Sequence, residues 1–305
     1  MPLDAAEVPR GQSQPVARSR RDLLALVQGA LGDRYGVERE IGRGGAARIF
    51  LARDGAGKAV ALKVLHPELV VSIAADRFLR EIGLLSRIDH PRICRLLDWG
   101  ERDWLVYYVM EFVEGPTLRE YLERVRRAAI EDTLRETCEL LEALEYAHGL
   151  GVVHRDVKPE NVKLSPSGAV LMDFGIAKAV ATAAPDRARL TRSGFTLGTS
   201  AYMSPEQASG EGQVDQRSDL YSVGCVIFEC LTGSPPYEHA DDRVVFGMHV
   251  RAPIPDVRRF RPHVPADLAR LVTKALAKNP SDRWQSAGEM RAALRSCGGA
   301  IRPGG

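Results

Sequence analysis

The sequence predicts an α+β protein of two lobes, a small β-rich N-terminal lobe with one main helix and a larger α-helical C-terminal lobe. Strand-like runs of β-branched and aromatic residues are concentrated in residues 35–110, and apolar residues recur at helical spacing after residue 116. The length of 305 residues suits about two domains or one large bilobal unit.

The first elements lie outside the two lobes. Residues 1–20 mix Pro, Arg, Gln and Ser without periodicity, so a flexible arm is expected. Residues 21–34 predict a short amphipathic helix that flanks the N-terminal lobe, with a membrane-surface or partner helix as the alternative. Residues 297–305 are expected to form a tail after the second lobe.

The N-terminal lobe, residues 35–110, is predicted to hold an antiparallel sheet. Its strands are expected at Tyr35–Ile41, Arg48–Arg53, Ala59–Leu65, Arg95–Trp99 and Leu105–Met110. The main helix is indicated by apolar residues at helical spacing, namely Phe78, Ile82, Leu85 and Ile88. Residues 111–115 then form a connector, or hinge, to the second lobe.

The C-terminal lobe, residues 116–296, is predicted to be mostly helical. Helices are expected at Thr117–Arg127, Glu131–His148, Asp219–Leu231, Ala266–Ala277 and Ser286–Arg295. The third of these is apolar on nearly all sides, which indicates a buried central helix.

Composition excludes several classes of function. A net charge of +2 is too small to indicate nucleic acid or an anionic membrane as the main partner. The longest apolar stretch, Leu220–Leu231, is shorter than the roughly 20 residues of a spanning helix. The five cysteines have neither disulfide-framework nor zinc-site spacing, which favours a reducing compartment. We therefore expect a cytoplasmic protein without a membrane segment, either free-standing or a fragment.

Gly42 and Gly44 lie between the first two predicted strands. Glycines at this spacing allow a backbone to approach a polyphosphate and expose N–H groups to it. The signal alone is weak, because a glycine-rich hairpin is often only a turn and Ala47 replaces a third glycine. The motif does not precede a helix and lacks a following Gly-Lys-Ser/Thr, so it is neither a Rossmann fingerprint nor a P-loop.

Lys63 interrupts an otherwise apolar strand. A lysine there would usually lie at a sheet edge with its ammonium in solvent. If it faces inward, it needs an acidic partner, and Glu81 on the next helix is the best candidate.

The strongest chemical signal is the loop His154–Asn161, followed by Asp173 after a predicted hairpin. The oxygens of Asn161 and Asp173 suit Mg²⁺, which takes few protein ligands besides substrate phosphates. Asp156 can accept a proton or orient a hydroxyl, and Lys158 can offset charge on a transferring phosphoryl group. Each residue singly could be an ordinary polar group of a loop, but the ordered set is improbable by chance.

In this order the motifs resemble those of eukaryotic-type (Hanks-type) serine/threonine protein kinases, most closely the bacterial branch, over about residues 35–296. The resemblance rests on Gly42, Gly44, Lys63, Glu81, His154–Asn161, Asp173–Gly175, Ser204–Glu206, Asp219 and Arg283. It implies a bilobal protein kinase fold and a role in bacterial signalling. The implied activity is ATP- and Mg²⁺-dependent phosphorylation of Ser/Thr hydroxyls on protein substrates, with Mn²⁺ as a substitute metal.

The resemblance also implies individual roles. Lys63, held by Glu81, would bind the ATP phosphates, Asn161 and Asp173 would bind the metal, and Asp156 with Lys158 would serve the acceptor hydroxyl. The implied ATP pocket consists of Ile41, Gly42, Gly44, Ile49, Ala61, Lys63, Met110, Glu111, Val113 and Lys163, with Met110 as gatekeeper. Lys163 departs from the apolar residue often found under adenine, and its methylene stem could cover the base while its ammonium reaches solvent.

Lys158 and Thr199 are similar to the serine/threonine class rather than to tyrosine kinases, and Thr199 is expected at the acceptor site. An arginine directly before the catalytic-loop aspartate, as Arg155 is before Asp156, is similar to kinases that are regulated by phosphorylation of the activation segment. Candidate phosphosites there are Thr191, Ser193 and Thr196. Two alternatives are a pseudokinase scaffold and a small-molecule kinase of similar fold. Dimerisation of the kinase lobes is left open.

Overall fold

The N-terminal part of the molecule is built on a five-stranded antiparallel sheet of order β1–β2–β3–β5–β4. The computed structural model describes residues 20–44, 47–65, 82–83, 85–102, 105–174, 199–210 and 212–298. The strands are β1 (Gly36–Arg43), β2 (Ala47–Arg53), β3 (Ala59–Leu65), β4 (Leu96–Arg102) and β5 (Leu105–Glu111). All five predicted strands are present, and β3 has the predicted bounds.

The tight connection between β2 and β3 follows from its sequence. Asp54 Oδ1 accepts the backbone N–H groups of Ala56 and Lys58, both at 2.9 Å. Gly57 adopts φ = 78°, a conformation that favours glycine. The turn therefore fixes the register in which Ile49 pairs with Lys63.

A helix at the start of the described chain packs on the outer face of the sheet. Helix α1 (Arg20–Leu31) buries Val27 and Leu31 completely. Both belong to an apolar cluster that includes Val37 of β1 and Tyr107 of β5. The opposite face of the sheet carries a second cluster that includes Ala61 and faces the second lobe.

The second lobe is helical. Its helices are α2 (Leu118–Val125), α3 (Ile130–Gly149), α4 (Pro205–Ser209), α5 (Gln216–Thr232), α6 (Asp242–Arg251), α7 (Ala266–Ala275) and α8 (Ala287–Gly298). Helix α5 is buried from Ser218 to Thr232, as its apolar sequence predicts, and Asp215 caps its start.

A two-stranded hairpin, β6 (Val162–Ser165) and β7 (Gly168–Leu171), lies beside the connector between the lobes. Gly115 has φ = 112°, and a Cβ there would overlap the carbonyl oxygen of Leu164. Glycine is thus needed where the connector crosses β6. The five-stranded sheet of the first lobe and the helices of the second lobe match the predicted bilobal α+β fold. Within the described ranges, the helices are all too short or too polar to cross a membrane.

Candidate active site

A carboxylate from the central helix holds the loop His154–Asn161. Asp219, which is 1% exposed, accepts the backbone N–H of His154 at 2.8 Å and that of Arg155 at 2.7 Å. Arg155 has φ = 65°, an uncommon conformation for a residue with a side chain. Asp219 therefore stabilises a loop conformation that has little local preference.

His154 connects this loop to the segment after β7. Burial lowers the pKa of His154, so its ring is neutral at physiological pH. Nδ1 accepts the N–H of Asp156 at 3.2 Å, which leaves Nε2 to donate to the carbonyl of Met172 at 2.9 Å. The backbone at Asp156 and the backbone next to Asp173 are thereby fixed relative to each other.

The predicted polar side chains of the loop contact one another. Lys158 Nζ lies 3.1 Å from Asp156 Oδ2. Asn161 Nδ2 donates to the Asp156 carbonyl at 2.8 Å and to its Oδ2 at 3.2 Å. The Asp156 carboxylate is therefore flanked by a cation and an amide, which orient it without fully enclosing it.

Lys63 of β3 pairs with Asp173 across the space between the lobes, with Nζ and Oδ1 2.9 Å apart. Burial alone lowers the pKa of Lys63, but the charge of Asp173 outweighs this and leaves the pKa raised, so Lys63 is an ammonium. Because β3 is central in the sheet, the alternative of an edge lysine in solvent is wrong. Glu81, the partner expected from sequence, lies outside the described residues.

The site has oxygen atoms suited to a divalent metal. The backbone N–H of Met172 donates to the Asn161 carbonyl at 2.8 Å, which brings Asn161 alongside the residue before Asp173. The Asn161 amide nitrogen is engaged by Asp156, so its Oδ1 is the atom that could bind a metal. Among the residues described, no group of three or more His, Cys, Asp or Glu side chains could hold a metal ion. Two oxygen ligands fit Mg²⁺, which completes its shell with water and substrate phosphates.

Residues predicted for the nucleotide pocket lie on three neighbouring strands. Ala61 and Met110 are register partners on β3 and β5 and are both 4% exposed. Ile49 on β2 packs against the same apolar cluster, opposite Lys63. These residues provide an apolar surface beside the Lys63 ammonium, the combination that an adenine and its phosphates require.

Of the two predicted phosphate-binding glycines, Gly42 lies in β1 and Gly44 follows its end. Gly42 pairs with Ile49, and a Cβ on Gly42 would lie 3.3 Å from the Ile49 side chain. The N–H of Gly44 donates to the carbonyl of Ala47 at 2.9 Å, which closes the turn. Ile41, next to Gly42, is 36% exposed.

The remaining residues predicted for the pocket lie at the connector or contact it. The carbonyl of Glu111 accepts a weak hydrogen bond from Cys94 Sγ at 3.4 Å, and Val113 is half-buried. Lys163 Nζ donates to the Gly115 carbonyl at 2.7 Å. The ammonium of Lys163 is therefore tethered to the connector rather than simply extended into solvent.

Glu81, Thr191, Ser193 and Thr196 lie outside the described residues. Thr199 begins a 3₁₀ turn, Thr199–Tyr202, that follows the undescribed segment. The expected pair of Glu206 and Arg283 is present as two hydrogen bonds of 2.8 Å.

Two features near the site were not predicted from sequence. Tyr108 of β5 contacts both Lys63 and Asp173. Arg119 of α2 pairs with Glu160 of the loop at 2.9 Å and with buried Glu229 of α5 at 2.6 Å. The alternation of side chains along β5 places Tyr108 on the same face as Met110, so its position could have been predicted from sequence. Arg119 and Glu229 are 110 residues apart and share no sequence pattern that would predict their pairing.

Comparison with known proteins gives one family. The profile of the protein kinase domain matches residues 35–294. A Streptomyces coelicolor protein named as a probable serine/threonine-protein kinase is 42% identical over 275 residues, which cover 88% of this chain and 40% of that protein. Serine/threonine-protein kinases PknB of Mycobacterium leprae and Mycolicibacterium smegmatis are 41% and 42% identical, each over 87% of this chain and 43% of the relative. The chain thus spans about two fifths of the length of these relatives.

Proposed function

Because the chain belongs to the protein kinase domain family, we propose that it transfers the γ-phosphate of ATP to Ser/Thr hydroxyls of protein substrates. The observation that carries this proposal is the convergence of Lys63 and Asp173 beside the loop that holds Asp156, Lys158 and Asn161. The acceptor oxygen bonds to the γ-phosphorus, the bond from that phosphorus to its bridging oxygen breaks, and ADP leaves.

The charged residues divide between nucleotide and acceptor. Lys63 binds the α- and β-phosphates, which requires it to leave Asp173, and Glu81 would then hold its ammonium. Asp173 and Asn161 would hold Mg²⁺, or Mn²⁺ as a substitute, which would supply positive charge next to the phosphate oxygens. Asp156 orients the hydroxyl and accepts its proton.

The remaining assignments concern the acceptor side and the adenine. Lys158, already 3.1 Å from Asp156, offsets the charge on the transferring group. Thr199 shapes the acceptor site and favours Ser/Thr over tyrosine. The adenine pocket comprises Ile41, Gly42, Gly44, Ile49, Ala61, Met110, Glu111, Val113 and Lys163.

We also propose that the enzyme is regulated by autophosphorylation at Thr191, Ser193 or Thr196. Arg155 supports this, because its Nε is buried and has no hydrogen-bond partner within the described part of the chain. Two oxygens of a phosphate would accept from this Nε and from a neighbouring guanidinium nitrogen in a bidentate pair. Phosphopeptide mapping of active protein should find phosphate between Asp173 and Glu206, and its absence would refute this regulation.

The catalytic proposal is tested with ATP radiolabelled on the γ-phosphate, Mg²⁺ and a generic basic protein. The wild-type protein should label itself or the basic protein, and acid hydrolysis should yield phosphoserine or phosphothreonine. Asp156→Asn should abolish labelling, whereas Asp256→Asn, at an exposed turn, should not. Nucleotide binding without turnover would instead identify a pseudokinase, and labelling only of small molecules would identify a small-molecule kinase.

The lobe boundaries and location are proposals as well. We assign residues 35–110 to the N-lobe, 111–115 to the hinge and 116–296 to the C-lobe. All five cysteines are free thiols, which supports a cytoplasmic location. Burial raises the pKa of the Cys225 and Cys230 thiols, so both are unreactive. Protease added to intact producing cells should leave the kinase domain uncut.

A further inference from the structure

Two adjacent tyrosines of β5 point to opposite faces of the sheet. Tyr107 belongs to the outer cluster under α1, where its phenol accepts a hydrogen bond from Arg34 at 2.7 Å. Tyr108 belongs to the inner cluster with Ala61 and Met110. They are 2% and 4% exposed, so each ring is part of the packed sheet and only Tyr108 faces the active site.

Tyr108 contacts both charged residues that span the lobes. It is the register partner of Lys63, whose Nζ lies 5.4 Å from the Tyr108 ring centroid. Its hydroxyl lies 3.5 Å from Asp173 Oδ1, at the outer limit of a hydrogen bond. The same oxygen is 2.9 Å from Lys63 Nζ. Three side chains from β3, β5 and the segment after β7 therefore meet at Asp173 Oδ1.

The backbone of Asp173 makes this contact consequential. Asp173 has φ = 51°, which costs a residue with a side chain on the order of 1 kcal/mol and persists only when neighbours hold it. Lys63 is one neighbour, but under the proposed function it leaves Asp173 for the ATP phosphates. A carboxylate with one partner removed needs another donor to keep its orientation.

We propose that Tyr108 is a positioning residue, whose hydroxyl donates to Asp173 Oδ1 and orients the carboxylate so that its other oxygen can bind the metal. The inference rests on the proposed function, because it concerns the Asp173 of that same site. The Tyr108 side chain also hydrogen-bonds to Lys63, so when Lys63 moves away the phenol keeps Asp173 as a partner, because a buried hydroxyl without one is costly. The Tyr108 ring also makes a cation–π contact with the Lys63 ammonium.

The test compares Tyr108→Phe with Tyr107→Phe, since each removes one hydroxyl from a buried ring of the same strand. Binding of the non-hydrolysable analogue adenylyl imidodiphosphate is measured by calorimetry with and without Mg²⁺, a readout independent of turnover. Tyr108→Phe should reduce the gain in affinity that Mg²⁺ provides by roughly tenfold, as expected for a hydrogen bond to a charged group. Affinity without metal should change less than about twofold.

Tyr107→Phe should keep the full Mg²⁺ effect, although its melting temperature can fall because Arg34 loses an acceptor. In an Asp173→Asn background, Tyr108→Phe should have no further effect on the metal dependence. An unchanged Mg²⁺ effect in Tyr108→Phe would reduce Tyr108 to a packing residue and overturn the inference. If the Phe variant is insoluble, Tyr108→Met, which fills similar space without a hydroxyl, gives the same reading.

The wild-type protein separates this inference from the proposed function. Wild-type protein that binds the nucleotide with no Mg²⁺ effect and labels no substrate would refute the proposed function, and the inference with it. Wild-type protein with normal labelling, together with a Tyr108→Phe variant that retains the whole Mg²⁺ effect, would refute the inference alone.

Discussion

Arg283 and Glu206 form a paired hydrogen bond inside the second lobe, with Nη1–Oε1 and Nη2–Oε2 distances of 2.8 Å each. The Arg283 side chain is fully buried and the Glu206 side chain is 8% exposed. Arg283 also donates to the carbonyls of Ala277 and Lys278, so its guanidinium is held from several sides. The pair joins α4, which follows the Thr199–Tyr202 turn, to the chain before α8.

Because of the Glu206–Arg283 pair, we expect the free energy of unfolding to decrease at acid pH. Burial on its own raises the pKa of Glu206, but hydrogen bonds from Arg283 and Ser218 outweigh it and lower the pKa below its ordinary value. The contribution is therefore complete above the unfolded-state pKa of about 4.5 and is lost as pH falls through the lower folded-state pKa. Glu206→Gln should cost roughly 3–5 kcal/mol at pH 7, because Arg283 is left buried without a counter-charge.

Urea unfolding at pH 7 and at pH 3 measures this effect. The difference in unfolding free energy between wild type and Glu206→Gln should be smaller at pH 3 than at pH 7. Equal differences at both pH values would show that the carboxylate charge is irrelevant to the stability of the lobe.

Glu136 of α3 predicts the opposite pH dependence. Burial, followed by the charge of Asp132, raises the pKa of Glu136 to about 7. Its Oε2 is buried and lacks a hydrogen-bond partner among the residues described. Because the folded-state pKa lies above the unfolded value of 4.5, stability falls as pH rises from about 4.5 through 7.

Glu136→Gln removes this penalty and should be more stable than wild type by roughly 2–3 kcal/mol at pH 8, with little difference at pH 4.5. Melting temperatures across this range check the expectation. Glu131→Gln, at the exposed start of the same helix, is the control and should follow the wild-type curve. A Glu136→Gln curve parallel to wild type would contradict the assignment.

The main regular elements were predictable because their own residues are strongly apolar. Strand β3 is apolar except for Lys63, and helix α5 is mostly apolar from Leu220 to Leu231, so each was located from its own residues. Helix α6 was not predicted, since Val245 and His249 are its buried residues and leave too weak a periodic pattern. Helix α4 has five residues and depends on its Ser204 capping box.

The candidate site residues were recognisable as a set, but their contacts were not. Spacing and motif order singled out Lys63, Asp156, Asn161 and Asp173 as candidates. The pairing of Lys63 with Asp173, 110 positions later, depends on how the lobes pack and has no local signal. The positive φ angle of Asp173 is likewise imposed by tertiary contacts, because local preference disfavours it.

Lys163 gives a prediction about nucleotide affinity. Its Nζ donates to the exposed Gly115 carbonyl, which water can satisfy if the donor is removed. Lys163→Leu should therefore change the Kd for ATP by less than about tenfold, the net value of an ordinary hydrogen bond. Lys163→Met, which keeps an unbranched stem, separates coverage of the base from the loss of the ammonium. Complete loss of activity in either variant would contradict a supporting role.

The Asp219→Asn variant tests whether helix α5 holds the loop His154–Asn161 in its conformation. Asp219 Oδ1 accepts the N–H of Arg155, and Oδ2 accepts the N–H of His154. An amide replaces one acceptor with a donor that faces another N–H, so one of these two bonds is lost and a repulsive contact appears. Because Arg155 depends on them to hold φ = 65°, the position of Asp156 should shift.

We expect kcat of Asp219→Asn to fall at least roughly tenfold while the KM for ATP changes less, since the residues predicted to contact adenine and the phosphates lie on other elements. Steady-state kinetics and thermal unfolding are measured together with Asp215→Asn, which alters the carboxylate that caps the same helix. Asp215→Asn should lower stability slightly and leave kcat intact, because the side-chain oxygen of an asparagine can still accept the backbone N–H of Arg217. Equal losses of kcat in the two variants would show that helix stability, rather than the anchoring of Arg155, limits turnover.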